Sequence, residues 1–495
     1  MSSVPSPRPL EAVPFQSTAE SGESTDLPLC VDLDGTLIKT DLLLESAISA
    51  VRRNPFLLLV LPIWILAGRA VLKRKLALRS QIDVALLPYR EELLSLLHEE
   101  KQRGRSLLLV TGSDELLAQR VGDHLGIFEQ ILASDGKTNL TSRRKRDKLL
   151  ELFGEAGFAY AGDSSVDLPV WSKAAESFLI EPSSRVLRAA TRFSNVTTVV
   201  PRSSMRFRVV LSAFRVHQWL KNTLVFVPAF TAHRLLEPSI LGQSFLAFTA
   251  FSLGATGVYL TNDLFDLEND REHPIKRSRP LASGQMPLAA AILTAPILMA
   301  AAFCLALMLS LELALLLLIY FILTLSYTLF LKGLLLVDVL CLAGLYTLRL
   351  FAGSEATSIP VSPWLLAFAG FLFLSLALVK RVTELLDRDH SPAICLPGRA
   401  YRTHDTQLLT FMGVSSGNIA VLVLALYIHL DPDTHLYNDP FALWALCPIL
   451  FYWINRVWLL ANRRSLHVDP VVFTLRDAAS YILLGLVLLV ILLAR

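Results

Sequence analysis

Apolar positions dominate the second half of the chain. Nine apolar stretches lie near 215 to 233, 240 to 262, 286 to 309, 311 to 331, 334 to 353, 363 to 381, 408 to 429, 440 to 461 and 472 to 494, separated by short polar loops. Each approaches the roughly 20 residues that a helix needs to cross the hydrocarbon core. The first of them carries Lys221 and Asn222 near its beginning. Ahead of this region charged residues are dense, from about residue 70 to 280. The pattern predicts a soluble part followed by a membrane part of nine helices. One further apolar run, Pro55 to Leu72, is broken by Pro62 and Arg69 and is short for a span. It reads as a hydrophobic cap helix or as a helix lying on a membrane surface.

Charge in the loops supplies an independent test, because Lys and Arg collect on the cytoplasmic side of membrane proteins. Arg271, Lys276, Arg277 and Arg279, then Lys332, then Arg388, Arg399 and Arg402, then Arg463 and Arg464 fall in alternate loops, whereas the loops between them hold almost no basic residue apart from Arg234. With the N-terminal part in the cytoplasm, nine spans place Arg495 outside. The expected location is the cytoplasmic membrane of a bacterial-type cell, with the soluble part and the polar loops of the site facing the cytoplasm.

Composition agrees. The chain has 495 residues, 53% hydrophobic and 18% charged, too apolar for one soluble domain. A net charge of +3, spread over both parts, excludes a nucleic-acid-binding stripe. Five widely separated cysteines with no CxxC pair argue against a zinc site or a disulfide framework. Residues 1 to 26 are rich in Ser, Pro and Glu without the apolar run of a secretory signal, which predicts a disordered tail.

In the soluble part a short strand, Leu29 to Val31, runs into Asp32-Leu33-Asp34-Gly35-Thr36. Two carboxylates two residues apart at a strand end face one site and can divide labour. Asp32 attacks phosphorus, and Asp34 protonates the leaving group and later activates water. A second strand, Ser106 to Val110, delivers Thr111, Gly112 and Ser113, a hydroxyl with backbone N–H groups for phosphoryl oxygens. Lys145, placed just upstream of a helix, offers a fixed positive charge, with Lys148 as its rival. A third strand, Phe158 to Ala161, ends in Gly162-Asp163-Ser164-Ser165-Val166-Asp167, whose carboxylates suit Mg²⁺.

The second apolar stretch ends in the string from Asn262 to Pro274. On a helix Asn262, Asp266 and Asp270 recur at i, i+4 and Asp263 precedes Asp266 by three, so oxygen ligands line one face. Acids clustered at a membrane helix end are costly without a cation. Magnesium carrying a diphosphate supplies one, and Lys276, Arg277 and Arg279 follow as phosphate clamps.

The four ordered elements of the soluble part resemble the haloacid dehalogenase superfamily of phosphohydrolases. That resemblance implies an α/β, Rossmann-like domain over about residues 27 to 200, with a helical cap at about 41 to 89. It implies Asp32 as nucleophile, Asp34 as acid/base, Thr111 and Lys145 as phosphate holders, and Mg²⁺ at Asp32, Asp34, Asp163 and Asp167. Residues 201 to 495 resemble the UbiA superfamily of intramembrane transferases, an all-α fold of nine spans. The string NDLFDLENDREHPIKRSRPLASG, with Arg215, His217, Trp219, Lys221 and Asn222 upstream, is similar to the decaprenyl-phosphate phosphoribosyltransferase branch. This second resemblance implies Mg²⁺ at Asn262, Asp263, Asp266 and Asp270, with Asp263 and Asp266 catalytic. The lone Asp338 departs from the multi-aspartate second motif of aromatic prenyltransferases. It fits one magnesium-bound diphosphate plus a phosphate-bearing acceptor met by Lys332, Arg349 and Lys380, with Lys221 also lining the site.

The function so implied is transfer of 5-phosphoribose from phosphoribosyl diphosphate to a polyprenyl phosphate. The fused phosphatase then acts on the product or on another intermediate of the same pathway. Two alternatives stand beside it: transfer of an isoprenyl group from its diphosphate to an aromatic or other small acceptor, and a transporter or lipid-binding scaffold.

Overall fold

A computed structural model describes residues 27–201, 207–387, 399–430, 437–466, 473–474 and 477–494. The expected N-terminal tail, Arg388 and Arg495 lie outside the described residues. The chain divides into two compact units, one formed by 1–213 with 263–291 and the other by 214–262 with 292–495.

The first unit is built on a six-stranded sheet. Strands β1 (Leu29–Val31), β2 (Leu107–Asp114), β3 (Gln130–Ser134), β4 (Ala159–Gly162), β5 (Glu176–Ile180) and β6 (Val196–Val200) take the order β3-β2-β1-β4-β5-β6. Every pairing is parallel, with Leu29 opposite Leu107 on one side and Ala159 on the other. Sheets of this kind are covered on both faces, so their strands are apolar throughout rather than alternating. β1 and β4 are wholly buried. Because β1 lies between β2 and β4, connections leave it in opposite directions, and a crevice opens beyond the strand ends. β2 runs further than expected, through Thr111 to Asp114, with its register against β3 shifting between Val110 and Asp114.

Around the sheet lie helices α1 (Leu42–Arg53), α2 (Leu57–Leu66), α3 (Arg69–Ala77), α4 (Glu91–Gln102), α5 (Glu115–Leu125), α6 (Arg143–Phe153), α7 (Leu168–Trp171) and α8 (Ser184–Ala190). The expected cap region contains α1 to α3. α1 is amphipathic and starts under an N-cap, the Asp41 carboxylate accepting from the backbone of Leu43 and Leu44.

The segment 263–291 belongs to this unit, which a single boundary near residue 200 did not anticipate. It is held by a buried ion pair. Arg271 donates to both carboxylate oxygens of Glu45 on α1, at 2.6 and 3.2 Å, and its Nε donates to the Ala282 carbonyl. Thr40 donates to the same carboxylate at 2.8 Å. Gly284, at φ +73°, lies so close to Lys39 that a Cβ there would fall 2.6 Å from the Lys39 Cβ.

α9 (Phe207–Ala213) closes the first stretch of the first unit, and the second unit opens with a 3₁₀ segment, Val216–Phe226, and α10 (Val227–Thr231). The first expected span is therefore two short helices. Asn222 is buried inside it, donating to the Ser252 hydroxyl. Next comes α11 (Pro238–Phe265); α12 (Leu267–Glu272) lies in the stretch that belongs to the first unit, and the second unit continues with α13 (Leu288–Leu309), α14 (Leu311–Leu329), α15 (Val337–Thr357), α16 (Pro363–Leu386), α17 (Thr406–Leu430) and α18 (Leu446–Asn462). Seven helices among the described residues are long and apolar enough to cross a membrane, beginning with α11, and Ala478–Ala494 is a shorter apolar helix. Small side chains such as Ala247, Ala255 and Ala302 bring these helices together around Phe251 and Tyr320.

Candidate active sites

At the carboxyl ends of β1, β2 and β4 the sheet gathers the phosphatase residues. Lys145 lies inside α6 rather than upstream of it, buried, with Nζ 3.0 Å from the Asp32 carboxylate and donating to the Tyr160 hydroxyl at 2.7 Å. Lys148 points away and pairs with Glu151. Tyr160 in turn donates to Asp167 at 2.8 Å, so a chain of charge and hydrogen bonds ties Asp32, Lys145, Tyr160 and Asp167 together. Tyr160 was invisible in the sequence, where it is one apolar-looking position of a strand.

Asp32, Asp163 and Asp167 bring ligand atoms within 4.8 Å of one another. Such crowding of like charge favours a divalent cation with oxygen ligands. Its signature is the Asp163 carboxyl, pushed up to about 7 by burial and then by Asp167 and Asp32. Gly35, at φ +74°, leaves room for it, because a Cβ would stand 2.6 Å from an Asp163 oxygen. Asp34 is not one of the three acids in this cluster. One oxygen accepts from the Leu42 backbone at 2.8 Å and the other from the Ser113 hydroxyl at 2.5 Å. Burial, then Asp41, raises its pKa to about 7, a state suited to donating a proton. Burial likewise raises Asp32 to about 6 against the pull of Lys145. Thr111 is fully buried, its hydroxyl accepting from the Ser113 backbone and shaping the β2 end.

The acidic loop differs from a single helix face. α11 stops at Phe265, Asp266 takes a non-helical conformation, and α12 resumes at Leu267, with the Asp270 N–H still bonded to the Asp266 carbonyl at 2.8 Å. Asp263 and Asp270 are buried and Asp266 is half-buried. Among the described residues these carboxylates do not converge as the phosphatase triad does. A cation already lies between two of them. Arg279 Nη1 is 3.2 Å from Asp263 and 2.7 Å from Asp270, so it neutralises the acids instead of standing apart as a clamp. Lys276 and Arg277 are exposed on a 3₁₀ turn. All donors here are oxygens, which suits a hard cation.

In the membrane unit Asn262 accepts from the Thr328 hydroxyl at 2.8 Å. Arg349 is buried, stacked near Tyr320 and Tyr346, with Nε donating to Asn222 at 2.8 Å. Lys221 also lies over Tyr346, at 5.6 Å. Lys332, in a 3₁₀ turn, and Lys380, on α16, are half-buried.

Asp338 is neither lone nor open to a substrate, contrary to expectation. It is fully buried, accepting from Tyr327 at 2.8 Å, from Arg381 through both oxygens, and from Arg399 at 3.3 Å. Arg381 also binds Glu384 at 2.5 Å. A buried acid attracts arginines because an unpaired charge in this setting is expensive. Asp338→Leu alone is expected to lower stability by about 3 kcal/mol, because Arg381 keeps Glu384 but loses both hydrogen bonds to the buried Asp338 carboxylate, and Arg399 loses its own. Adding Arg381→Met should recover part of that loss. Thermal unfolding of detergent-solubilised protein reads both.

One unit thus presents a phosphohydrolase-type carboxylate centre and the other a helical membrane fold with buried polar groups, which together define a membrane-embedded enzyme of two chemistries. The UbiA prenyltransferase family model matches residues 223–481, and the haloacid dehalogenase-like hydrolase model matches residues 29–172. The chain is an integral membrane member of the UbiA prenyltransferase family with an N-terminal haloacid dehalogenase-like hydrolase domain. It is 37% identical to the uncharacterized protein y4nM of Sinorhizobium fredii over 93% of this chain and 90% of that one. It is 34% identical to the nodulation protein NoeC of Azorhizobium caulinodans, over 57% of this chain and 92% of that one. Identity is also 34% to decaprenyl-phosphate phosphoribosyltransferase of Mycobacterium tuberculosis, covering 44% of this chain and 73% of the relative.

Proposed function

We propose that the membrane unit transfers 5-phosphoribose from phosphoribosyl diphosphate to a polyprenyl phosphate of decaprenyl type, and that the hydrolase domain removes a phosphate from the product or a later intermediate. The observation that carries the transferase reading is the buried acid pair Asp263 and Asp270 with Arg279 between them, in a chain 34% identical over 222 residues to a decaprenyl-phosphate phosphoribosyltransferase. Mg²⁺ bound there would neutralise the diphosphate as it leaves. Asp263, Asp266 and Asp270 would hold the ion with Asn262 orienting it, and Arg279, Lys276 and Arg277 would supply the positive charge that meets the diphosphate. The anomeric C–O bond then breaks with oxocarbenium character. Already ionised, the acceptor phosphate needs no strong base, so positioning by Lys221, Lys332, Arg349 and Lys380 and electrostatics do the chemistry.

In the hydrolase domain Asp32 attacks phosphorus while Asp34 protonates the leaving oxygen. Lys145 holds Asp32, Thr111 shapes the phosphate-facing loop, and the residues that would hold Mg²⁺ are Asp32, Asp34, Asp163 and Asp167. The membrane unit makes nine crossings in the cytoplasmic membrane, its first formed by the two short helices before α11 and its last by Ala478–Ala494, so that the hydrolase domain is cytoplasmic and the C-terminus outside.

Incubating isolated membranes with labelled phosphoribosyl diphosphate and polyprenyl phosphate should label the lipid. Activity on an isoprenyl diphosphate with a small acceptor, and no labelled lipid, would overturn the donor assignment.

A further inference from the structure

The apolar run that breaks the charged N-terminal region is α2, Leu-Leu-Leu-Val-Leu-Pro-Ile-Trp-Ile-Leu. One side packs inward, where Trp64 and half-buried Leu57, Val60 and Leu61 meet α1 and α3 around Ala50 and Leu76. The remaining side faces out. Leu58, Leu59, Ile63, Ile65 and Leu66 are 57%, 75%, 62%, 59% and 88% exposed, and Phe56 just before them 76%. These positions recur at i, i+4 and i+7, so they form one continuous apolar ridge. A contiguous patch of this kind marks a binding surface rather than scattered surface leucines.

What surrounds the ridge narrows its occupant. Every charged side chain from Val51 to Arg79 is basic. Arg53, Arg69 and Arg79 are exposed, and Lys75 and Arg79 lie 5.4 and 4.9 Å from the Trp64 ring. An apolar ridge in a segment whose own charges are all basic, with Arg53, Arg69 and Arg79 exposed, matches an anionic lipid surface. The helix has ten residues, about 15 Å at 1.5 Å per residue, half the thickness of the hydrocarbon core. It is long enough to lie in the interface and too short to cross. Continuity with the membrane part points the same way. The compact unit that contains α2 also contains 263–291, the stretch joining two candidate spans, α11 and α13. The unit is therefore covalently continuous with two candidate spans.

α2 is also wired to the hydrolase centre. Through Gly68 it continues into α3, where Lys73 Nζ donates to the Gly112 carbonyl at 2.5 Å and to Asn139 at 2.9 Å, and Arg74 pairs with Asp114 at 3.1 Å. Gly112 follows Thr111 at the catalytic end of β2.

We propose that α2 lies in the bilayer interface, held by anionic headgroups, and that the hydrolase site takes its phosphomonoester from a membrane lipid. The substrate half of this inference rests on the phosphatase reading above; the membrane contact does not. In the reaction the lipid's O–P bond breaks as the Asp32 oxygen bonds phosphorus, and Asp34 gives the leaving alkoxide its proton. Water activated by Asp34 then frees inorganic phosphate and restores Asp32.

The test uses the full chain in vesicles of phosphatidylcholine and phosphatidylglycerol. A benzophenone amino acid replaces Leu59, Leu66 or, as a control on exposed α5, Gln119. After irradiation, phospholipid adducts are expected at the first two positions and not at the third. Adducts to a second protein chain, or none to lipid, would overturn the membrane contact. Separately, Leu59→Glu with Ile63→Glu should lower kcat/KM on vesicle-borne polyprenyl-phosphoryl 5-phosphoribose about tenfold or more while leaving soluble para-nitrophenyl phosphate unchanged. Equal loss on both substrates, or no loss on either, would overturn the lipid substrate. Failure of the parent chain to release phosphate from either compound would sink the phosphatase reading instead, with the adducts still deciding the contact.

Discussion

Replacing Asp263 and Asp266 together by Asn is expected to reduce labelled phosphoribosyl transfer by about 10³-fold or more, about 4 kcal/mol of barrier, in membranes where the protein is present at normal level. The amides keep the shape of the α11 end and remove the charge that a divalent cation requires. Folding should survive, because Arg279 keeps its 2.7 Å contact with Asp270 and Arg271 its buried pair with Glu45. Transfer rates measured against added Mg²⁺ sharpen the result. A variant weakened in metal affinity is partly rescued by excess ion, whereas a misfolded one is not. Retained turnover would favour a transporter or scaffold, in which the acids are not needed for chemistry.

The second large effect is expected in the other unit. Asp32→Asn should abolish phosphate release, by about 10³-fold or more, while leaving transfer of the labelled sugar intact. A rate of phosphate release from the lipid product equal to wild type would refute the role of Asp32. The pH profile of the unaltered protein gives a finer reading. Asp32 has to be ionised to attack, and its pKa stands at about 6, so activity falls as pH drops below that value. Asp34 has to be protonated to assist the leaving group, and its pKa stands at about 7, so activity falls as pH rises through it. The profile of kcat/KM is then a bell between the two, with bound cation drawing the acid limb lower. Asp34→Asn should remove the alkaline limb and slow hydrolysis of poor leaving groups more than good ones.

Much of the hydrolase centre was legible along the chain because its chemistry is delivered by strand ends. A parallel sheet places the residues after β1, β2 and β4 beside one another whatever intervenes, so Asp32, Thr111 and Asp163 could be named from their positions after apolar runs. The partners that tune them were not legible. Ser113 was named for the strand end but not for its bond to Asp34, and Tyr160, which bridges Lys145 and Asp167, is an ordinary strand residue until the register aims its side chain. The choice between Lys145 and Lys148 was open for the same reason. On α6 they lie three residues apart, and only packing decides which of them faces Asp32.

The acidic loop shows the opposite balance. Regular spacing suggested one helix face, but the helix breaks at Asp266, and Arg279 lies between two of the acids. Spacing registers how residues recur along one element; it is blind to a counter-ion sixteen positions away that folds back onto them. Asp338 misled in the same manner. It stands alone in sequence and is caged by Tyr327, Arg381 and Arg399 in space.

By itself, the sequence determined that this protein joins an α/β phosphohydrolase-type domain to a membrane domain, where the apolar spans lie, and which short polar strings carry chemistry. Those properties are written in local periodicity and in residues adjacent along the chain. Only the tertiary structure decided that 263–291 packs with the N-terminal unit through Arg271 and Glu45. It alone also decided that Asp34 lies apart from the carboxylate triad, and that α2 turns its leucines outward. Each depends on which distant side chain neutralises a buried charge or covers an apolar face, and that is settled by packing rather than by order.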